Sequence, residues 1–202
     1  MIKYVLLPFF SYLLGSIPWG LILTRLFTSI NIRQEGSGNI GATNVMRTAG
    51  PKLGILTLVG DILKGAFPVW LARSITRSDD IWGALFIAIV ALAAFLGHLY
   101  PVYMRFKKGG KGVATAVGCF AVISPAAFAV AVLVFIMFIC WLNRVSLASL
   151  AAAAVLPVAV WKATGSGIMT GCAVITMGFI YFRHRDNIKR LLAGTEPTIW
   201  KK

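Results

Sequence analysis

Two short segments of this chain concentrate residues suited to holding anions. Residues 34–47 read Gln-Glu-Gly-Ser-Gly-Asn-Ile-Gly-Ala-Thr-Asn-Val-Met-Arg. Glycine lets successive backbone N–H groups converge on one anion, so Gly38 and its neighbours offer a concave donor surface. The side chains of Ser37, Asn39, Thr43 and Asn44 add neutral donors. Arg47 adds a permanently charged fork that matches phosphate oxygens. A flexible connector is the plainer reading, but it leaves so many polar side chains in one glycine-studded stretch unexplained. Residues 106–115 read Phe-Lys-Lys-Gly-Gly-Lys-Gly-Val-Ala-Thr and run directly into an apolar stretch. A turn built from Gly109, Gly110, Lys111 and Gly112 at a helix N-terminus presents unpaired N–H groups and the positive end of the helix dipole, with Thr115 one turn inside. It is not a Walker A loop, because Gly112 follows Lys111 where Ser or Thr belongs. A loop that only sets topology needs lysines but not three glycines.

Further polar residues stand apart from these loops. His98 lies just before Pro101 at the end of an apolar run, as an interfacial side chain or as a binding or proton-transferring group. Asp61 and Lys64 are three residues apart within another apolar run, so they share a helix face and can neutralise each other. The segment Arg183–Leu192 has helical periodicity with a basic face, the pattern of a helix lying along a membrane surface. Cys119, Cys140 and Cys172 sit in apolar runs without metal-ligand spacing and read as packing residues. No carboxylate dyad, His-x₄-Asp pair or nucleophilic Ser–His motif is present. Neither histidine has an evident carboxylate in the sequence to orient it. The chain offers anion holders and almost no strong base, which suits substrates that bring their own activation.

These residues must be positioned by a hydrophobic scaffold. Of the 202 residues 58% are hydrophobic and only 13% charged, yet Lys and Arg number 20 against 6 Asp and Glu, for a net charge of +14. Mean hydropathy is +0.83. A soluble nucleic-acid binder would spread such charge over amphipathic surfaces, whereas here long apolar runs separate it. The excess therefore belongs to loops facing an anionic membrane and anionic substrates. A spanning helix needs roughly 17–25 apolar residues. The runs Tyr4–Phe27, Leu53–Arg73, Ile81–Tyr100, Ala126–Leu142, Val145–Trp161 and Ile168–Phe182 qualify, and the first reads as a retained helix rather than a cleaved leader. Gly112–Ser124 adds a shorter, partly buried seventh. Backbone amides in lipid must bond within their own segment, so these runs are helices. The expectation is an all-α integral membrane protein, a polytopic helical bundle with about seven transmembrane helices in one domain over residues 1–202.

Charge orients the bundle. Alternating the loops across the bilayer puts Arg25, Arg33, Arg47, Lys52, Arg105, Lys107, Lys108, Lys111, Arg144, Arg183, Arg185, Lys189, Arg190, Lys201 and Lys202 on one side. Lys3, Arg73, Arg77 and Lys162 fall on the other. The positive-inside rule then sets the N-terminus outside and the C-terminus in the cytoplasm. Merging the seventh run with its neighbour breaks the alternation.

In order along the chain, Ser37–Asn44 with Arg47, Asp61–Gly65, Gly97-His98 to Pro101, Phe106–Thr115, Val145–Ser149 and His184–Asn187 resemble the motifs and intervening segments of bacterial acyl-phosphate:glycerol-3-phosphate acyltransferases. The resemblance spans almost the whole chain. It implies transfer of an acyl group from acyl phosphate to the 1-hydroxyl of sn-glycerol 3-phosphate, giving lysophosphatidic acid and phosphate, the first step of phospholipid synthesis. It implies no cofactor, no metal and no nucleic acid, and a multi-pass protein of the bacterial inner membrane with its site on the cytoplasmic face. By matching positions, Ser37, Arg47 and Lys111 hold phosphate, Asn39, Thr43 and Asn44 shape the first loop, and His98 and Asn187 line the glycerol phosphate pocket. Ser37, His98, Lys111 and Asn187 are the expected catalytic set. Gly38, Asn39, Thr43, Asn44, Gly109, Gly110, Gly112 and Thr115 stand with the phosphate contacts, and Lys64, Ser146 and His184 are further candidates. A carrier or exchanger of organic phosphates is the rival reading, and it requires polar residues along a path through several helices.

Overall fold

The protein is described by a computed structural model covering residues 2–76, 80–107 and 109–199. Arg77, Lys108, Lys201 and Lys202, which enter the charge pattern, lie outside the described residues. Every regular element described is helical: α1 (Ile2–Gly15), α2 (Trp19–Phe27), α3 (Ala42–Ala49), α4 (Pro51–Ile75), α5 (Ile81–Leu99), α6 (Val113–Ile123), α7 (Pro125–Leu142), α8 (Val145–Thr164), α9 (Gly167–Arg183) and α10 (Arg185–Leu192), with a 3-10 turn at Val102–Met104. Four of them, α4, α5, α7 and α8, are long and apolar enough to cross a bilayer. The pair α1–α2, bent by 42° at its break, makes a fifth, and α6 and α9 are shorter apolar helices.

Two departures from expectation concern the first third of the chain. Tyr4–Phe27 is not one continuous helix. It breaks at Ser16–Pro18, where Pro18 lacks an N–H and restricts the residue before it. The first glycine-rich segment is not all loop either, since it ends in the eight-residue helix α3, with Gly41 at its N-cap in extended conformation. Elsewhere local chemistry sets the boundaries as the sequence suggests. Ser124 caps α7 by accepting from Ala127 N–H with Pro125 following it, so α6 and α7 are separate helices.

The chain divides into two compact units, residues 1–122 and 123–202. In the first, α5 packs against α1 and α4, and α4 also meets α2 and α3. Small residues let these backbones approach, as membrane helices without a hydrophobic driving force require. A Cβ on Gly97 of α5 would overlap the Tyr12 carbonyl oxygen of α1, and one on Gly118 of α6 would overlap the Ile62 carbonyl oxygen of α4. Hydroxyls stitch the same contacts: Ser11 donates to the Val90 carbonyl at 2.8 Å and Tyr12 to the Tyr100 carbonyl at 2.6 Å. In the second unit α8 packs between α7 and α9, and α10 touches α8 and α9. Residues of α7 such as Leu133, Met137 and Trp141 remain exposed, the surface a lipid-facing helix presents.

Close approach predicts a graded response to a single methyl group. Gly97→Ala should destabilise the protein by about 1–3 kcal/mol, because the methyl must displace backbone rather than a side chain. Gly178→Ala, whose added methyl meets nothing within 4 Å, should leave thermal unfolding in detergent unchanged. Equal melting temperatures for the two variants would contradict the packing described.

Candidate active site

The first loop is built around one side chain. Asn44, buried on α3, donates its amide to the carbonyls of Ile32 (3.3 Å), Glu35 (3.1 Å) and Asn39 (2.9 Å). Its Oδ1 accepts from the Ser37 N–H at 2.9 Å. Its amide is thus committed on both sides to the loop's own backbone. Asn39 likewise turns its Oδ1 to the Gly41 N–H, forming an Asx turn that ends the loop at the helix start. Gly36 has φ +58°, and a Cβ there would collide with Asn44 Oδ1, so the turn accepts only glycine. Ser37, Thr43 and Arg47 are exposed, with Arg47 in the last turn of α3.

The second loop leaves α5 through the 3-10 turn and lies back on the end of that helix. The Gly110 N–H bonds the His98 carbonyl at 3.2 Å. A Cβ on Gly110 would overlap His98 Nε2, and one on Gly109 would overlap the Leu99 carbonyl oxygen. These glycines are therefore needed for the loop to rest on His98 and Leu99, a role beside any contact with an anion. Gly112, at φ +85°, packs on Phe95 and opens α6. Lys111 is half-buried between them. Thr115 is fully buried, with its backbone against Gly65 of α4. Met104 from this loop joins Leu21, Ile32, Ile40 and Val45 in one apolar cluster. Both glycine-rich loops therefore share a core, and each runs into a helix N-terminus.

Beneath the second loop lies a buried polar group that corrects the expectation of a histidine without a carboxylate. Asp61 Oδ1 is 2.8 Å from Lys64 Nζ and 3.6 Å from His98 Nδ1, with all three side chains no more than 4% exposed. Lys64 also donates to the Ile17 carbonyl at 2.7 Å, in the break between α1 and α2. Sequence spacing pairs Asp61 with Lys64. Their meeting with His98, 37 residues further on, depends on how α4 crosses α5 and has no local signal.

The second unit holds its own polar cluster. Asn187 on α10 donates to Glu196 Oε1 at 2.7 Å, and Arg190 Nε donates to Oε2 at 2.7 Å. Burial pushes the Glu196 carboxyl up, but the hydrogen bonds from Asn187 and Arg190 and the Arg190 charge help hold the group below the ordinary carboxylate range. His184 is buried with Nδ1 at 2.8 Å from the Ile180 carbonyl, an acceptor, so this nitrogen carries the proton. Sequence reasoning missed Glu196. Its signal was one of only two carboxylates, with Asp186, in a strongly basic tail. Among the described residues no three His, Cys, Asp or Glu side chains gather as a metal site needs.

Comparison with known proteins gives this geometry a context. The family model for glycerol-3-phosphate acyltransferase matches residues 5–194. The glycerol-3-phosphate acyltransferases of Syntrophotalea carbinolica and Geotalea daltonii are each 47% identical to this chain over 196 residues, covering 97% of both partners. The crystal structure of PlsY (YgiH), an integral membrane glycerol 3-phosphate acyltransferase in its glycerol 3-phosphate form, superposes with a TM-score of 0.92 at 38% identity. That match covers 98% of this chain and 96% of that one. Its lysophosphatidic acid form gives 0.89 at 37% identity. The fold, the two loops and this near full-length similarity make the chain a member of the glycerol-3-phosphate acyltransferase family.

Proposed function

We propose that this membrane-embedded acyltransferase moves an acyl group from acyl phosphate to the 1-hydroxyl of sn-glycerol 3-phosphate, releasing lysophosphatidic acid and inorganic phosphate. The observation that carries the reading is the pair of glycine-rich loops joined by one apolar cluster, each opening a helix, in a chain whose solved relatives hold glycerol 3-phosphate and lysophosphatidic acid. Acyl phosphate is a mixed anhydride, so its carbonyl needs positioning and charge stabilisation more than a protein nucleophile. The glycerol hydroxyl attacks the carbonyl carbon, the bond from that carbon to the phosphate oxygen breaks, and a phosphate oxygen takes the hydroxyl proton. Arg47, Lys111 and the Ser37 hydroxyl hold phosphate. The parts assigned to Ser146, His184 and Asn187 rest on motif matching. The rival carrier reading is not favoured, because the charges within the spans, Asp61 and Lys64, are committed to each other and to Ile17 rather than arrayed along a path.

In this reading the chain crosses the bacterial inner membrane seven times, with α1–α2 as one crossing followed by α4, α5, α6, α7, α8 and α9. The N-terminus is outside and both glycine-rich loops face the cytoplasm. In a background lacking Cys119, Cys140 and Cys172, a membrane-impermeant thiol reagent should label Lys162→Cys from outside and Lys107→Cys only from the cytoplasm. Outside labelling at 107 would reverse the orientation.

Purified protein should form phosphate and lysophosphatidic acid from acyl phosphate and glycerol 3-phosphate, and should not use acyl-CoA or acyl carrier protein thioesters. Comparable turnover with a thioester would refute the donor.

Arg47→Ala or Lys111→Ala should each remove a charge-assisted contact of about 1.5–3 kcal/mol, or roughly ten- to a hundredfold in kcat/KM, in a protein that unfolds normally. Asn44→Ala should instead lower the melting temperature together with activity. Full activity in folded Lys111→Ala would reduce its loop to a topology signal.

A further inference from the structure

We propose that Asp61 is a positioning residue for this reaction, acting through His98 to set the Gly109–Gly110 turn that carries Lys111. The inference rests on the acyl-transfer reading above and concerns how its second loop is held. Asp61 lies ten residues into α4, about 15 Å along the helix at 1.5 Å per residue. From there its Oδ1 reaches His98 Nδ1 at 3.6 Å. The opposite nitrogen of the same ring, Nε2, abuts the α-carbon of Gly110 so closely that no side chain fits between them. The imidazole is therefore a spacer with the carboxylate behind it and the glycine turn in front. The Gly110 N–H bond to the His98 carbonyl holds the turn against the ring.

Lys64 completes the device. Its ammonium holds Asp61 at 2.8 Å and the Ile17 carbonyl at 2.7 Å, tying the carboxylate to the break between α1 and α2. The carboxylate is thereby fixed from one side, and it fixes the ring on the other. An ion pair kept only for folding would need no histidine against it. A histidine kept only for packing would not be placed beside the one carboxylate within the described helices of the first unit.

The test is a double-mutant cycle between Asp61→Asn and His98→Ala, in full-length protein, using initial rates with glycerol 3-phosphate and acyl phosphate. Asp61→Asn should lower kcat/KM by about tenfold or more, the scale of one charge-assisted contact. In the His98→Ala background the same change should cost less than about twofold, because the ring it acts through is gone. Calorimetry with glycerol 3-phosphate alone should show the same pattern without any donor. Equal losses in both backgrounds, or full activity in folded Asp61→Asn, would overturn the proposal. Should Asp61→Asn not fold, Asp61→Glu keeps the charge beside Lys64 while moving its oxygens by one methylene, and the same cycle decides by the same two outcomes. If the unaltered protein uses a different acyl donor, the donor assignment fails and the cycle is read with that donor.

Discussion

A lysine ammonium buried in a helical bundle needs partners, and the arrangement of the first unit follows from the two that Lys64 finds. Leaving water costs each ion several kcal/mol, so an ammonium at this depth survives only with a counter-ion and its remaining protons bonded. Asp61, one turn earlier on α4, supplies the charge, and Ile17 supplies a carbonyl. That carbonyl is accessible because α1 stops before Pro18. The helix break and the buried cation are thus complementary: the break exposes a polar group inside an apolar bundle, and the cation consumes it. Removing one partner from such a pair typically costs about 3–5 kcal/mol, since it strands the other. The geometry of α1, α2 and α4 is therefore coupled at one point.

Around that point the helices are drawn together by what they lack. Gly15, Gly97, Gly65 and Gly118 bring α1 against α5 and α4 against α6 at backbone distance. Cys119 then lies against both α4 and α5, with its thiol 3.6 Å from the Gly65 carbonyl and 3.7 Å from the Ala91 carbonyl. Such contacts gain dispersion energy over long stretches of backbone without needing a hydrophobic driving force, which lipid does not provide. They also bring the end of α5, with His98, beside the middle of α4.

The sequence foretells the features that depend on neighbours along the chain. Long apolar runs mark the spans, Ser124-Pro125 marks a helix start, and Arg183–Leu192 is legible as an amphipathic helix because its period is local. The break at Pro18 was masked by an apolar composition that continues on both sides of it. Helix α3 was hidden because Thr43, Asn44 and Thr48 are poor helix formers. It forms because Asn44 spends its amide on three loop carbonyls and Val45 is buried beside Ile32 and Ile40. Within the site, the anion-holding residue types were visible, but their division of labour was not. Asn44 serves the loop, Thr115 the helix contact, and Gly110 the approach to His98. The pairing of Asp61 with His98 arises from how α4 crosses α5, and that of Asn187 with Glu196 from the tail folding back after α10, so neither follows from helical spacing.

The first loop divides into groups already bonded within it and a cation left exposed beside it. The N–H groups of Ser37 and Gly41 are spent inside the first loop, on Asn44 Oδ1 and Asn39 Oδ1, so they fix its shape. Arg47 is exposed and solvated at the end of α3. Ordering such a side chain costs up to about 2 kcal/mol of rotamer freedom, which its contact with phosphate must offset. The first loop is therefore fixed in shape by its own hydrogen bonds, with an exposed cation beside it. Under the proposed function, selectivity is assigned to the shape that Asn44 and His98 give the two loops, and affinity to charge.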